Sequence, residues 1–241
     1  VDGRSQGDIR QGVTLEVFGE GSSYGPLNEG MKADALANWI AGGGGEAAVR
    51  EMLGLAAGSR VEVPWTTLGE YLSFLENKGV APNVASFVGA TTLRVHVLGY
   101  EDRAPTSEEL VQMQELTRAA MREGAMGVGS SLIYAPAFYA DTDELVAIAA
   151  AAGEYGGMYI SHMRSEGNRL IEAVDELITV ARDAGVAAEI YHLKAGGQAN
   201  WPKMAIAIDR VEAARAEGLA ITANMYTYTA GSTGLDAAMP P

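Results

Sequence analysis

Short apolar segments, each preceded by a glycine, recur along the chain. A stretch with helical spacing, a glycine and an apolar segment follow one another six times, at Gly12, Gly79, Gly124, Gly157, Gly185 and Gly218. The last four glycines are 33, 28 and 33 residues apart. A period of roughly thirty residues is that of a strand with its crossover helix, and a glycine just past a helix end favours the left-handed conformation that closes the helix. The pattern therefore predicts six βα units in succession.

The segments between these glycines have the spacing of amphipathic helices. Within 165–184, one helical face carries the apolar residues Leu170, Val174, Leu177, Ile178 and Ala181. A second helix is predicted over 106–123, where Thr106 is followed three residues later by Glu109. This pair is typical of a capping box, in which each side chain satisfies a free backbone N–H of the first turn.

The predicted strands are nearly continuous apolar runs, as in a parallel sheet that is buried on both faces. Six such strands fit a TIM-like (β/α)8 barrel that lacks two strands. They also fit a doubly wound α/β sheet, although the even period favours the barrel. The segment 28–65 is expected to be a loop-and-helix excursion after the first strand. No change in composition marks a second domain within the chain.

Composition excludes several classes of function. The 241 residues include 31 acidic and 17 basic side chains, a formal net charge of −14, which argues against a nucleic-acid partner because phosphates would be repelled. Cysteine is absent, so the chain has neither disulfides nor a thiolate zinc site. No apolar stretch reaches the ~18–20 residues of a membrane span, and no signal peptide is apparent. We expect no membrane partner and a cytoplasmic location.

Candidate metal ligands follow three of the predicted strands. His162 and His192 end consecutive strands, and Glu20 follows the first strand. Side chains at the C-terminal ends of barrel strands point at one small volume, and two imidazoles with a carboxylate suit Zn²⁺ or a similar divalent ion. One such histidine alone would be read as a packing residue, but two at equivalent places favour a metal site. The remaining histidine, His96, ends no strand and is expected to be a surface or packing residue.

Two further polar residues near the strand ends allow two interpretations each. Lys194 is two residues beyond His192 and points the same way along an extended chain, so it could bind an anionic substrate group or be a solvated loop lysine. Tyr134 follows a strand and could donate a hydrogen bond to a polarised carbonyl. It could equally pack at the barrel rim as an amphipathic side chain.

Four long blocks resemble one known family. They are SHMRSEG (161–167), YHLKAGGQANW (191–201), ANMYTYTAGSTGL (223–235) and GSSLIYAPAFYADTDEL (129–145). These blocks are similar to the signature blocks of the D-aminoacylase (N-acyl-D-amino-acid deacylase) family of the amidohydrolase superfamily. The resemblance runs from about Gly12 to Pro241. It implies a metal-bearing (β/α)8 barrel with a small added β domain, and hydrolysis of N-acyl-D-amino acids to a D-amino acid and a carboxylate.

The resemblance also implies roles for individual residues at the metal. His162 and His192 match the metal-binding histidines of the family's fifth and sixth strands. Glu20 stands where the better-known D-aminoacylases have a metal-binding cysteine. A carboxylate can bind or bridge the same ions, so we expect Glu20 to replace that cysteine as a ligand.

Four residues match substrate-binding positions of the family. Tyr134 matches a tyrosine near the scissile carbonyl and is the expected catalytic residue of this chain. Lys194 and Tyr226 match residues that hold the substrate carboxylate, and Ser232 matches a position in the side-chain pocket.

Two parts of the family's machinery are absent from this sequence. The family carries a His-x-His pair on its first strand and an Asp that acts as general base on its eighth. We therefore expect residues 1–241 to be a partial barrel domain that covers about strands two to seven of the TIM-like (β/α)8 barrel. The first and last strands and the small β domain would lie outside it, and the chain is expected to be inactive alone. Open strand edges invite pairing with the rest of the protein or with another copy, so a homo-oligomer is one expected assembly.

The expected function is that of a zinc-dependent amidohydrolase with one or two Zn²⁺ ions in the full-length protein and an N-acyl-D-amino acid as substrate. Two alternatives stay open. One is a D-peptide or cyclic-amide hydrolase that uses the same site. The other is a catalytically silent barrel that acts as a binding protein.

Overall fold

The computed structural model describes residues 4–42, 44–234 and 237. Its α-helices, in chain order, are α1 (Gln6–Ile9), α2 (Glu29–Gly42), α3 (Glu46–Met52), α4 (Leu68–Lys78), α5 (Ala90–Leu98), α6 (Ser107–Arg122), α7 (Thr142–Gly153), α8 (Leu170–Ala184) and α9 (Lys203–Ala216). Within these described ranges, no helix combines the length and the apolar composition that a membrane crossing requires.

The strands are all parallel and lie side by side in chain order. They are β1 (Leu15–Phe18), β2 (Asn83–Ser86), β3 (Val88–Gly89), β4 (Gly127–Ser131), β5 (Met158–His162), β6 (Ala188–Ile190) and β7 (Ile221–Ala223). β1 pairs with β2, and β3 to β7 form one five-stranded sheet in the order β3-β4-β5-β6-β7. Sequential order of this kind is that of a TIM-like barrel, whereas a doubly wound sheet reverses its strand order at a switch point.

The second predicted strand is divided in the structure. Phe87 separates β2 from β3, and its N–H donates to the carbonyl oxygen of Phe18 at 2.9 Å. On the other side, the carbonyl oxygen of Ser86 accepts from the N–H of Met126 at 2.9 Å. These bonds link the two sheets into six successive strand positions, the number that the glycine period predicts.

The two terminal strands do not pair with each other. Among the described strands, β1 pairs only with β2, and β7 pairs only with β6. Two apolar residues of β1, Leu15 and Val17, are 49% and 39% exposed. The described strands therefore form an open part of a barrel, as the sequence predicts.

The helices pack on the sheet with the predicted faces. All five apolar residues predicted for the inner face of α8 are buried. α8 begins at Leu170 rather than at residue 165, because residues 163–169 form a loop after β5. α6 begins with the predicted capping box, in which the Thr106 hydroxyl accepts from the N–H of Glu109 and the Glu109 carboxylate accepts from the N–H of Thr106.

One predicted helix cap is misplaced by a residue. Gly185 closes α8 in the left-handed conformation, with φ of 69°. After α7, however, Gly156 rather than Gly157 has the positive φ, at 75°. Gly157 is needed for space instead, because a Cβ there would lie 2.6 Å from Cε of Met121.

Candidate metal centre

Three ligand-type side chains meet at the C-terminal ends of the strands. The donor atoms of Glu20, His162 and His192 all lie within 4.8 Å of one another. Oε1 of Glu20 is 3.3 Å from Nδ1 of His162 and 3.0 Å from Nε2 of His192, and the two imidazole centroids are 4.4 Å apart. Four ligands at the ~2.0–2.1 Å bond lengths of zinc lie roughly 3.3 Å apart in a tetrahedron. The spacing and donor types therefore fit a single divalent ion.

Two glycines place Glu20 at this point. Gly19 has φ of 96°, and a Cβ there would lie 2.3 Å from the carbonyl oxygen of Phe87. Gly21 has φ of 93°, and a Cβ there would lie 2.6 Å from Cβ of Ser131. The Ser131 hydroxyl donates to the carbonyl oxygen of Glu20 at 3.1 Å. Only glycine allows the loop to approach β3 and β4 this closely, which directs Glu20 across the strand ends.

The histidines are held by their backbones. His162 is the last residue of β5, beside Ser131 of β4, and its carbonyl oxygen accepts from the N–H of Leu132 at 3.0 Å. His192 lies two residues beyond β6 with φ of 39°, a left-handed conformation that is uncommon for a side chain with a Cβ. Its N–H donates to Oδ1 of Asn224 at 2.7 Å. Such a conformation persists where neighbouring contacts impose it.

The acidic and basic side chains of the cluster shift one another's pKa values. Partial burial by itself would raise the pKa of Glu20, but hydrogen bonds and charge attraction from His162 and His192 outweigh burial and lower it to about 2. Partial burial and the Lys194 charge favour neutral His192, whereas its contacts with Glu166 and Glu20 raise its pKa to about 9. Imidazole must be neutral to ligate a metal, so binding an ion here would release a proton from His192.

Glu166 is a site residue that the sequence prediction missed. Its Oε1 lies 2.9 Å from Nδ1 of His192 and 4.0 Å from Nε2 of His162. Its carboxylate also pairs with the ammonium group of Lys194. The available signal was its place in the loop after β5, four residues beyond His162 in the SHMRSEG block.

Lys194 and Tyr226 lie together beside the two histidines. Nζ of Lys194 is 2.7 Å from Nδ1 of His192 and 5.1 Å from the ring centroid of Tyr226. The rings of His192 and Tyr226 are 6.0 Å apart. The position of Lys194 next to the cluster, in an ion pair with Glu166, excludes a freely solvated loop lysine.

Tyr134 approaches the cluster from the loop after β4. Its ring centroid is 5.8 Å from that of His162, and its hydroxyl is 2.5 Å from Oγ1 of Thr233. Ser232 is the neighbour of that threonine and is exposed in the segment after β7. Leu235, the last residue of the third family-like block, lies outside the described residues.

Arg164 connects the loops on this side of the site. Its guanidinium donates to the carbonyl oxygens of Phe138 and Ala140, each at 2.8 Å, and to the carboxylate of Glu176 at 3.0 Å. It therefore joins the loop after β5 to the segment that follows Tyr134. The sequence prediction did not single out Arg164.

His96 lies in α5 and is half-buried. Burial lowers the pKa of His96. Its carbonyl oxygen accepts from Nδ2 of Asn28 at 3.2 Å. This environment agrees with the packing role predicted for it.

Known proteins with similar sequences are deacylases of D-amino acids. The chain is 34% identical over 228 residues to a D-aminoacylase of Alcaligenes xylosoxydans xylosoxydans, which covers 94% of this chain and 43% of that protein. It is 33% identical over 163 residues to an N-acyl-D-glutamate deacylase of the same organism, which covers 68% of this chain and 33% of that protein. The chain thus spans less than half the length of these relatives. No protein-family model matches it.

Solved structures with a similar fold come from the same group. A D-aminoacylase whose crystal structure defines a novel subset of amidohydrolases superposes with a TM-score of 0.72 at 28% identity, over 92% of this chain and 43% of that one. An N-acyl-D-glutamate deacylase of Bordetella bronchiseptica, complexed with zinc and a phosphonate that mimics the tetrahedral intermediate, gives 0.73 at 26% identity over the same shares. Over the length that it shares with these proteins, the chain belongs to the D-aminoacylase family of the amidohydrolase superfamily.

Proposed function

We propose that the protein containing this sequence is a zinc-dependent amidohydrolase that cleaves the amide bond of N-acyl-D-amino acids, releasing a D-amino acid and a carboxylate. The observation that carries the proposal is the meeting of Glu20, His162 and His192 at the C-terminal edge of the strands. Similarity to a D-aminoacylase and to an N-acyl-D-glutamate deacylase supports the choice of substrate class.

Glu20, His162 and His192 would hold the ion. A divalent ion held there would make a bound water nucleophilic near neutral pH, and the ion would also polarise the substrate carbonyl. Zinc is proposed because two imidazole nitrogens and a carboxylate oxygen form a zinc-type donor set, and because a similar deacylase structure contains zinc. These three donors serve one ion, whereas a similar D-aminoacylase has a binuclear centre. The whole protein would therefore hold one or two ions.

The remaining side chains would bind and orient the substrate. Tyr134, beside His162, would donate a hydrogen bond to the carbonyl oxygen as negative charge develops on it. Lys194 and Tyr226 would hold the substrate carboxylate, with a charge-assisted bond from the ammonium group. Ser232 would line the side-chain pocket. Fixing the carboxylate at one end and the carbonyl at the other orients the amide for attack.

Proton transfer to the leaving amine needs a further group. We propose that an Asp on an eighth strand provides it and that a His-x-His pair on a first strand completes the metal site. Residues 1–241 would then be part of a barrel domain to which a small β domain is added. Losing a general acid–base group costs ~10²–10⁴-fold in rate, so this chain alone is expected to be nearly inactive.

The test compares this chain with the full-length gene product. Release of free amine is followed with N-acetyl-D-amino acids, with the L enantiomers as control, before and after removal of metal by a chelator and readdition of zinc. We expect turnover of D substrates by the full-length protein alone, lost on chelation and restored by zinc. A zinc-loaded full-length protein that leaves D substrates intact would contradict the proposed function. Ordinary turnover by this chain would contradict the placement of the proton-transfer group outside it.

A further inference from the structure

The four imidazole nitrogens of the centre face two different carboxylates. Nδ1 of His162 and Nε2 of His192 face Oε1 of Glu20, at 3.3 and 3.0 Å. Nε2 of His162 and Nδ1 of His192 face Oε1 of Glu166, at 4.0 and 2.9 Å. Each ring therefore lies between the two acids. The nitrogens on the Glu20 side are the ones placed to share an ion with Glu20, and Glu166 contacts the rings from the other side.

Glu166 is fixed where it stands. Its carbonyl oxygen accepts from the N–H of Gly196 at 2.7 Å, which ties the loop after β5 to the loop after β6. Its carboxylate is half-buried and pairs with Lys194. A carboxylate held by its backbone and by an ion pair has little freedom to leave the histidine, so its contact with Nδ1 of His192 is built into the fold.

Two groups compete for that same nitrogen. Nδ1 of His192 lies 2.9 Å from the Glu166 carboxylate, which can only accept a hydrogen bond, and 2.7 Å from Nζ of Lys194, which can only donate one. If Glu166 is the partner, the proton of neutral His192 is on Nδ1 and the lone pair is on Nε2, facing Glu20. If Lys194 is the partner, the proton is on Nε2, and the nitrogen that faces Glu20 cannot ligate an ion.

We propose that Glu166 is a positioning residue that holds the proton of His192 on Nδ1 and keeps Lys194 from donating to that nitrogen, so that Nε2 is free to bind the ion. The inference rests on the proposed function, since it assigns the ion to the Glu20 side of both rings. A carboxylate behind a ligating imidazole fixes its tautomer and orientation, and the loss of such a partner typically weakens metal binding by ~10–100-fold. The Glu166 carboxylate also pairs with Lys194. Glu166 therefore links the metal site to the residue that is proposed to bind the carboxylate of the substrate.

The test measures the zinc affinity of the full-length gene product, in which the proposed metal site is complete, by competition with a chromophoric chelator; all variants are made in that protein. Glu166→Gln is expected to weaken zinc binding by about 10–100-fold. Glu172→Gln, an exposed acid at the start of α8, serves as the matched control and is expected to leave the affinity unchanged. Lys194→Met is expected to leave the affinity unchanged or to increase it, since the competing donor is removed.

The double variant distinguishes tautomer control from a simple loss of negative charge. In Glu166→Gln with Lys194→Met, neither the carboxylate nor the ammonium group faces Nδ1, and we expect part of the lost affinity to return. Nitrogen-15 spectra of the zinc-loaded full-length protein provide a second readout, with the His192 proton on Nδ1 in the unaltered protein. Thermal unfolding checks that each variant is folded. If Glu166→Gln does not fold, the zinc affinity of Lys194→Met still tests the proposal.

The outcomes separate this inference from the function on which it rests. If the unaltered full-length protein binds zinc and Glu166→Gln binds it equally well, or if the double variant recovers nothing, the positioning role is wrong while the metal site stands. The same holds if Lys194→Met loses affinity. If the unaltered full-length protein binds no zinc, both the metal site and the role of Glu166 are rejected.

Discussion

Both sides of this molecule are built from parallel strands and helices, but α8 and β4 on one side are far more deeply buried than α2 and β1 on the other. We call β3–β7 with α5–α9 the compact region and β1–β2 with α1–α4 the loose region. α8 in the compact region buries seven of its 15 residues, whereas α2 in the loose region buries none of its 14. All five residues of β4 are buried, whereas β1 alternates between exposed and half-buried positions.

The candidate metal centre spans the boundary between these regions. His162, Glu166, His192 and Lys194 come from the loops and strand ends of the compact region, and Glu20 alone comes from the loose one. Rigid packing therefore positions most of the centre. Glu20 depends instead on the glycines on either side of it, which bring its loop against β3 and β4. The contrast teaches that a side chain can be positioned accurately by a weakly packed region, provided that close backbone contacts replace side-chain packing.

The largest expected effect comes from breaking that backbone contact. In Gly19→Ala the new Cβ would lie 2.3 Å from the carbonyl oxygen of Phe87. The overlap and the left-handed φ together are expected to cost about 2–5 kcal/mol in the free energy of unfolding and to weaken zinc binding by displacing Glu20. Gly58→Ala is the matched control, since Gly58 also has positive φ, at 80°, but open space around it. Chemical unfolding and zinc titration measure both effects; equal losses in the two variants would argue against the close approach.

A second comparison removes the same side chain from each region. Leu177 in α8 is 2% exposed, so Leu177→Ala leaves a cavity and is expected to cost roughly 2–4 kcal/mol. Leu36 in α2 is only partly buried, and Leu36→Ala is expected to cost about 1 kcal/mol or less because the helix can settle and less apolar area is lost. Urea unfolding of both variants gives the two values. A cost for Leu36→Ala as large as that for Leu177→Ala would mean that the loose region is packed more tightly than its exposure indicates.

The compact region is also the one that the sequence predicts best. All five residues that the helical spacing over 165–184 places on one face of α8 are buried, because periodicity reports a face that must be covered; Ala173 and Val180 are buried as well. The segment between β3 and α6 contains α5, whose Arg94 is fully buried against Glu144. Arg94 is buried because an acid distant in the sequence neutralises its charge. The spacing of apolar residues cannot reveal a buried charged residue of this kind.

The site shows the same limit. His162 and His192 could be brought together from sequence because each follows a strand of a parallel sheet, where position along the strand determines location, although β6 ends two residues before His192. Glu166 lies in a loop, where no repeat links residue number to location. Its role depends on the turn of residues 163–169 and on the backbone bond to Gly196, which only the folded chain reveals.

A third effect, of about 1–3 kcal/mol in the metal-free chain, concerns the charges that join the two regions. The pKa of Glu20 is lowered to about 2, so its contribution to stability is present above the ordinary value of 4.5 and is lost as pH falls from there through 2. The pKa of His192 is raised to about 9, so its contribution is present below 6.5 and is lost as pH rises from there through 9. Stability from this pair is therefore greatest between about pH 4.5 and 6.5.

The measurement is the free energy of unfolding against pH, taken as the difference between the unaltered chain and His192→Gln. The difference should fall across pH 6.5–9, the interval in which the unaltered chain loses its histidine charge. Zinc should change the dependence of this difference on pH between 6.5 and 9, because a ligating imidazole is neutral and no longer contributes an ion pair. A flat difference over that interval would show that neither Glu166 nor Glu20 is paired with His192 in solution.

The smallest effect tests whether the regions differ in local chemistry as well as in packing. α4 in the loose region and α6 in the compact region both begin with a capping box, in which Thr67 and Thr106 each accept a backbone N–H at 3.2 Å. Thr67→Ala and Thr106→Ala are each expected to cost about 1 kcal/mol, while threonine-to-serine changes, which keep the hydroxyl, cost less. Because the caps are alike, any difference between the two alanine variants must come from cooperativity. Equal shifts of one unfolding transition mean that the regions unfold together; a shift from Thr106→Ala alone means that the loose region opens first and takes Glu20 away from the histidines before the sheet unfolds.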